Sequence, residues 1–377
     1  MLRFLTSGES HGQALMAILE GIPSGLELTA EDINVELGRR QVGYGRGQRM
    51  QIEKDRAQII AGVRQRLTIA SPIGVLIENR DWENWQNKKV PVVTAPRPGH
   101  ADLAGTLKYD FSDIRNVLER ASARETAARV AVGAICRKLL REFNINIFSR
   151  TIRIGKAEDP STWRLTAKEW ARIENSPVRC LGRDEENKMI RMIDQARASG
   201  DTLGGLVEIA AINLPIGLGS YIQWDTKLDG RLAQALMSIQ AIKAVEIGLG
   251  TKVASLPGSQ VHDEISLVKG RGLAHTTNRA GGIEGGMTNG ETIIMRASMK
   301  PIATLTKPLP SVDLKTGKAV KATVERSDVC AVPAAGVIAE NVVAFELARA
   351  MQEKFGGDSL REMKRNYHGY IAQSSKY

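Results

Sequence analysis

Arg120-Ala121-Ser122-Ala123-Arg124-Glu125-Thr126-Ala127-Ala128-Arg129 opens a segment that runs to about Phe143, and its reading decides the fold. Ser122 with Glu125 has the form of a capping box, in which the hydroxyl takes a first-turn amide and the carboxylate reaches back to the cap's own N–H. Beyond it Ala128, Ala131, Val132, Ile135, Leu139 and Phe143 recur at helical spacing, and Ala127, Val130 and Ala134 widen that apolar face. A helix so apolar, about 30 Å long at 1.5 Å per residue, is expected to lie sandwiched in the core. Its far end is conventional: Arg137, Lys138 and Arg141 suit the negative end of the dipole, and Asn144 can close it.

The near end is not. Arg120 precedes the cap, Arg124 stands in the first turn in line with the core stripe, and Arg129 flanks that stripe. Cations there oppose the helix dipole by roughly 0.3–1 kcal/mol each where exposed. An arginine drawn toward the core also needs a partner. Internal carboxylates would serve any one of them. For three around helix-terminal amides, a bound phosphate or carboxylate is the favoured expectation.

The 377 residues carry 52 Lys and Arg against 42 Asp and Glu, a formal net charge of +10, which points to anionic partners. Nucleic acid is the obvious candidate for such a charge. With aromatics at only 5% and no aromatic-basic motif, an RNA-binding module lacks its stacking platform, so no nucleic-acid partner is expected. No zinc-ligand spacing occurs, and no metal is expected. Cys136, Cys180 and Cys330 form no CxxC pair and are odd in number, which fits a reducing compartment. Without a signal peptide or an apolar run long enough to span a bilayer, a cytoplasmic protein with no membrane partner is expected.

Taken in order, a strand at Leu2–Phe4 runs into the polar loop Thr6-Ser7-Gly8-Glu9-Ser10-His11-Gly12, and Ala14–Leu19 reads as a second strand. Thr29 with Asp32, an acidic variant of the capping box, starts a helix through Leu37. Gly38–Arg49 then places four arginines among interspersed glycines, the pattern of a mobile cationic flap or of a solvated surface loop. Ile59–Val63, Leu67–Ile69 and Ile73–Ile77 suggest a β meander. Pro96-Arg97-Pro98-Gly99-His100-Ala101-Asp102 fixes the backbone and presents His100, with Asp102 near enough to orient it. An irregular passage through Tyr109 and Phe111 leads to the central helix.

Downstream, Trp163–Ile173 and Glu186–Ser199 read as surface helices, and Gly204–Ile212 as a strand. Asp229 is expected to cap a helix at Leu232–Ile239, followed by extended chain to Gly248. Asn278–Gly286 is glycine-rich without the Walker or Rossmann spacing. Ile293–Met299 is a strand leading into Lys300-Pro301-Ile302-Ala303-Thr304. Arg326-Ser327-Asp328 precedes a long helix that starts near Pro333 and stops at Gly356-Gly357. With no repeat and no Pro/Ser-rich linker, one compact domain over residues 1–377 is preferred.

Five of these fragments follow one another in the order seen in chorismate synthases: Gly8–Gly12, Arg97–Asp102, Ser122–Ala127, Ala280–Gly286 and Arg326–Asp328. From Leu2 to near Phe355 the chain resembles that family. The resemblance implies an α+β fold, a single-domain β-α-β sandwich with long central helices between two antiparallel sheets, assembled as a homotetramer. It also implies the reaction: 5-enolpyruvylshikimate 3-phosphate loses phosphate to give chorismate in a 1,4-elimination. Reduced FMN is required but not consumed, and NADPH is a candidate reductant.

Carried over residue by residue, His11 matches the general acid for the leaving phosphate, and His100 the histidine that serves the flavin's protonation state. Asp328 matches the aspartate that works with flavin N5 to remove the ring proton. Arg120, Ala121, Ser122, Gln240, Ala241, Gly285, Lys300, Pro301, Ile302, Ala303, Thr304 and Arg326 match FMN contacts. Arg40 and Arg46 match flap arginines that meet substrate or NADPH, and Arg129 matches a substrate arginine. Many relatives have Gly-Gly and a second Ser at the helix start, where this chain has Leu118-Glu119-Arg120-Ala121. A non-catalytic flavin- or nucleotide-binding protein is the remaining rival, and it would need neither His11 nor His100.

Overall fold

The computed structural model describes residues 2–47, 54–88, 90–268, 272–325 and 327–374. Strands β1 (Arg3–Ser7), β2 (Ala14–Glu20), β3 (Ala57–Ala61) and β4 (Ile73–Glu78) form an antiparallel sheet in the order β1-β2-β4-β3. Alternation decides its two faces. Leu15, Ala17 and Leu19 of β2 are buried with Ile73, Val75 and Ile77 of β4, while Leu5, Met16 and Ile18 face outward. A second antiparallel sheet is built from β5 (Asn146–Ile154), β6 (Ala157–Glu158), β7 (Gly205–Ile212), β8 (Ile242–Ile247) and β9 (Ile293–Met299), in the order β8-β9-β7-β5-β6.

The helices are α1 (Ala30–Gln41), α2 (Asp102–Tyr109), α3 (Arg115–Ala121), α4 (Thr126–Arg141), α5 (Ala167–Glu174), α6 (Arg183–Ser199), α7 (Leu228–Met237), α8 (Val332–Phe355) and α9 (Leu360–Ser374). Helices α4 and α8 pack along each other between the sheets, α4 against β2 and α8 against β5 and β7, with α1 alongside both. This is the β-α-β sandwich that the resemblance implied. The small residues of α4 have a geometric purpose: a Cβ at Gly133 would stand 2.4 Å from the Asn341 backbone of α8. Only glycine permits that approach. Helix α8 is buried nearly all round, begins with Pro333 in its first turn and ends at Gly356 with φ 57°, as the sequence indicated.

Several local expectations are corrected. The Ser122–Glu125 capping box is absent, because a 3₁₀ turn at Ala123–Glu125 precedes α4. Ser122 Oγ accepts the Arg124 N–H, and the Glu125 carboxylate is taken by the Thr6 hydroxyl at 2.9 Å. The passage before it is not irregular but holds α2 and α3, which cross so closely that a Cβ on Gly105 would strike Val117. Helix α7 starts at Leu228 with Lys227 as its cap, so Asp229 lies in the first turn. Thr29 and Asp32 do form their capping box, but α1 runs on past Leu37 to Gln41.

That extension has an electrostatic cause. Glu340 of α8 is fully buried and accepts from Arg39 of α1 (2.7 Å), Arg137 of α4 (2.9 Å), Arg179 (3.1 Å) and the Ser149 hydroxyl (2.6 Å). Glu36, one turn before Arg39, pairs with Arg39 at 2.6 Å and with Arg137 at 3.2 Å. The last turn of α1 is therefore drawn into the helical layer rather than released as a loop.

Burial by itself would raise the Glu340 carboxyl, but the three guanidiniums overcome it and bring it down to about 2 from an ordinary 4.5. A depressed carboxylate stabilises the fold above its unfolded value and loses that contribution as pH falls through the folded one. Glu340→Ala is expected to cost about 3–5 kcal/mol at neutral pH, because it takes from three buried guanidiniums a carboxylate that they share. It should also flatten the loss of stability between about pH 5 and pH 2. Urea unfolding at several pH values measures both, and an unchanged midpoint at neutral pH would show that the arginines are served by other partners.

Candidate active site

The loop after β1 is held against the end of α3. Ser10 N–H donates to the Glu119 carbonyl at 2.9 Å, and His11 N–H donates to Glu119 Oε2 at 2.7 Å. His11 Nδ1 lies 2.8 Å from Glu119 Oε1, and the imidazole packs on Trp85 with ring centroids 4.0 Å apart. Arg120 secures the same loop by donating to the Thr6 and Gly8 carbonyls at 3.0 and 3.1 Å. The polar loop is thus a fixed platform for His11.

Arginines converge on the start of α4, yet not in the way the sequence implied. Arg124 finds an internal carboxylate, Asp55 at 2.6 Å, with Asn79 at 2.9 Å. Arg129 donates to the Ser238 carbonyl and hydroxyl at 3.2 and 2.7 Å, where a cation suits the C-terminal end of α7. Arg40, expected in a mobile flap, is instead buried at the end of α1. It donates to Thr126 Oγ1 and the Ala123 carbonyl at 3.0 Å each and lies 3.5 Å from Asp55.

Arg46 lies 3.4 Å from Asp328, whose Oδ1 accepts the Gly47 N–H at 2.6 Å. The rest of the expected flap, Gln48 and Arg49, lies outside the described residues, as does Arg326. Burial, then the nearby cations of Arg124 and Arg46, push the Arg40 guanidinium down to about 10, although Asp55 and Asp328 pull it up. Arg40, Arg46 and Arg124 thus lie together around Asp55 and Asp328.

His100 occupies a second, adjoining group. Asp102, almost fully buried, accepts from His100 Nδ1 and from the Arg97 N–H (3.0 Å) and Nε (2.8 Å), so the expected orienting contact exists. Burial raises the Asp102 carboxyl, but His100 and Arg97 outweigh it and hold it well below the usual carboxylate range. Arg97 reaches Thr304 Oγ1 at 2.9 Å, and Lys300 Nζ donates to the Gly99 carbonyl. The Thr202 hydroxyl holds the Ile302 carbonyl at 2.7 Å, fixing the Lys300–Thr304 segment between them.

Gln240 and Ala241 join the two groups. Gln240 Nε2 lies 3.4 Å from Glu125 Oε2, and the Ala241 carbonyl accepts the Lys300 N–H at 2.9 Å. Two features there suit a bound flat ligand such as FMN. Gln240 Oε1 is buried with no hydrogen-bond partner among the described residues, which is costly unless a ligand donor meets it. Ala241 has φ 69°, left-handed backbone that side chains rarely adopt and that is typical of ligand clamps. Gly285 is not brought here. Its hairpin neighbours Gly281, which bonds Ile294 at the far end of β9. The length of that strand, about 20 Å, separates it from Lys300.

Sequence reasoning missed Glu119, Asp55, Asn79, Trp85 and Arg97 as site residues. Glu119, Asp55 and Asn79 act through partners distant in sequence, so no local pattern marks them, whereas Arg97 bonds Asp102 within its own motif. No helix among the described residues is long and apolar enough to cross a membrane.

The chorismate synthase family profile matches residues 2–352. Proteins named chorismate synthase from Pelobacter propionicus and Moorella thermoacetica are each 56% identical, covering 98% of this chain and 98% of their own. A solved chorismate synthase crystal structure superposes with a TM-score of 0.83 at 44% identity, covering 100% of this chain and 99% of that one. The fold is therefore that of a known enzyme class, and the chain belongs to the chorismate synthase family. It is an enzyme, a carbon–oxygen lyase, and the non-catalytic reading has no support.

The burial of Arg40 makes a simple prediction. Limited trypsin digestion of the ligand-free protein should leave the Arg40–Gln41 bond intact, since cleavage needs unfolded backbone at the site. Early cutting there would show that the end of α1 opens after all.

Proposed function

We propose that this chain carries out the 1,4-elimination of phosphate from 5-enolpyruvylshikimate 3-phosphate, giving chorismate, in a site formed at the start of α4 with reduced FMN as cofactor. The observation that supports the reading is the grouping of Arg40, Arg46 and Arg124 around Asp55 and Asp328 at the start of α4, beside the loop that fixes His11. Guanidiniums grouped in this way suit a substrate with a phosphate and two carboxylates.

FMN would be held by Gln240, Ala241 and the Lys300–Thr304 segment, with Arg120, Ala121, Ser122 and Arg326 as further contacts. When bound, reduced FMN supplies an electron to the allylic system as phosphate departs and regains it as the hydrogen leaves, without net oxidation. The protein's own groups supply position and protons. His11 gives a proton from Nε2 to the leaving phosphate oxygen. Asp328 accepts the ring proton, its carboxylate aimed by the Gly47 N–H. His100, whose Nδ1 is held by Asp102, presents Nε2 for the cofactor's protonation state. Arg40 and Arg46 pair substrate anions or NADPH phosphate, and Arg129 supports the substrate side.

The same reading takes the chain as one domain working in a homotetramer in the cytoplasm. Outward-facing Leu5, Met16 and Ile18 on the first sheet, and Trp224 at 82% exposure, offer apolar surface for other copies. Gly285, a strand's length from Lys300, would serve a neighbouring copy's site. Three free buried thiols suit a reducing compartment.

Turnover of the phosphorylated substrate with FMN reduced in advance tests the proposal. His11→Ala and His100→Ala should each lose roughly 10²–10⁴-fold in turnover while still folding. Asp328→Asn should keep FMN and substrate binding but slow by orders of magnitude, since an amide cannot accept the proton. A wild-type rate in any of these variants would remove that residue from the mechanism.

A further inference from the structure

We propose that Glu119 is the positioning residue for His11, fixing the imidazole with its hydrogen on Nδ1 so that proton transfer to the leaving phosphate runs through Nε2. The proposal deepens the reading above and rests on His11 as the acid. Glu119, in the last turns of α3, spends both carboxylate oxygens on one residue: Oε2 on the His11 N–H at 2.7 Å and Oε1 on Nδ1 at 2.8 Å. Burial raises the Glu119 carboxyl, but its bonds to His11 and the charge of Arg115 bring it below its ordinary value of 4.5. An ionised carboxylate only accepts hydrogen bonds, so the facing Nδ1 must carry hydrogen. In either protonation state of the ring, the exchangeable proton then belongs to Nε2.

The surroundings hold this arrangement still. Trp85 covers the imidazole at 4.0 Å and is itself anchored by its indole N–H on Asp81 at 3.0 Å. Other charges near the ring come from several elements. Arg115 and Lys88 lie 5.6 and 5.0 Å from the Trp85 ring, Arg120 sits on the loop carbonyls, and Glu9 stands against Gly12 of the loop itself. Glu119 bonds both the amide and the ring of His11. A purely structural tie of loop to helix would need only the two amide bonds from Ser10 and His11. The bond to Nδ1 adds control of the tautomer, as a buried carboxylate does for a catalytic histidine elsewhere.

Glu119→Gln separates these roles. The His11 N–H requires the amide oxygen, so the amide N–H group is left facing Nδ1 and the ring tautomer inverts. The test begins with the ¹⁵N spectrum of histidine-labelled wild-type protein, the His11 signals being assigned by their loss in His11→Ala. The wild type should show Nδ1–H, and Glu119→Gln should show Nε2–H. Turnover with pre-reduced FMN should fall roughly 10²-fold in Glu119→Gln with KM little changed, and the same substitution should cost nothing further in His11→Ala. A wild-type Nε2–H tautomer would overturn the proposal, as would losses that multiply in the double variant. Wild-type turnover in His11→Ala alone would instead remove the acid role, and the spectrum would still decide whether Glu119 sets the ring.

Discussion

A single buried carboxylate organises the helical layer. Glu340 lies in the first half of α8, and the guanidiniums of Arg39, Arg137 and Arg179 reach it from α1, from α4 and from the segment beside β5. Charges this deep are tolerated only when each is answered, which restricts how the three helices can slide or rotate. The consequence reaches the site. With Arg39 turned inward, its neighbour Arg40 emerges on the side of α1 that faces the start of α4. There it meets Thr126 and the Ala123 carbonyl. The packing of the helical layer and the geometry of the proposed site thus meet in two adjacent residues of one helix turn.

The site draws on that frame in two groups bridged by Gln240 and Ala241. One gathers His11, Glu119 and the arginine cluster; the other gathers His100, Asp102, Arg97 and Lys300. In both, a carboxylate holds Nδ1 of a histidine. Proton transfer at Nε2 needs the ring held in one tautomer and one orientation before the ligand arrives, because reorganisation during reaction raises the barrier. Glu119 and Asp102 come from different helices and different loops, so this likeness is a shared physical solution rather than a repeat in the chain.

Much of this was legible beforehand. The core helix, the long final helix with Pro333 and Gly356, and strands such as Ile293–Met299 follow from periodicity and turn residues, which act within a few neighbours. The ordered motifs carried the family, and the His100–Asp102 contact is local enough to be expected. The capping box at Ser122 was misread because Glu125 had a better partner in Thr6, more than a hundred residues away. Likewise the flap was placed too early, since nothing near Arg39 in the sequence announces Glu340.

The sequence by itself determined where apolar faces lie, how many residues each can cover, and that His11 and His100 sit in turn-rich loops. It did so because side-chain period and turn geometry are properties of adjacent residues. Tertiary structure alone decided the partner of each charge: Asp55 for Arg124, the end of α7 for Arg129, Glu119 for His11. Pairing depends on which groups lose water together, and desolvation is set by the packing of distant segments rather than by their order along the chain.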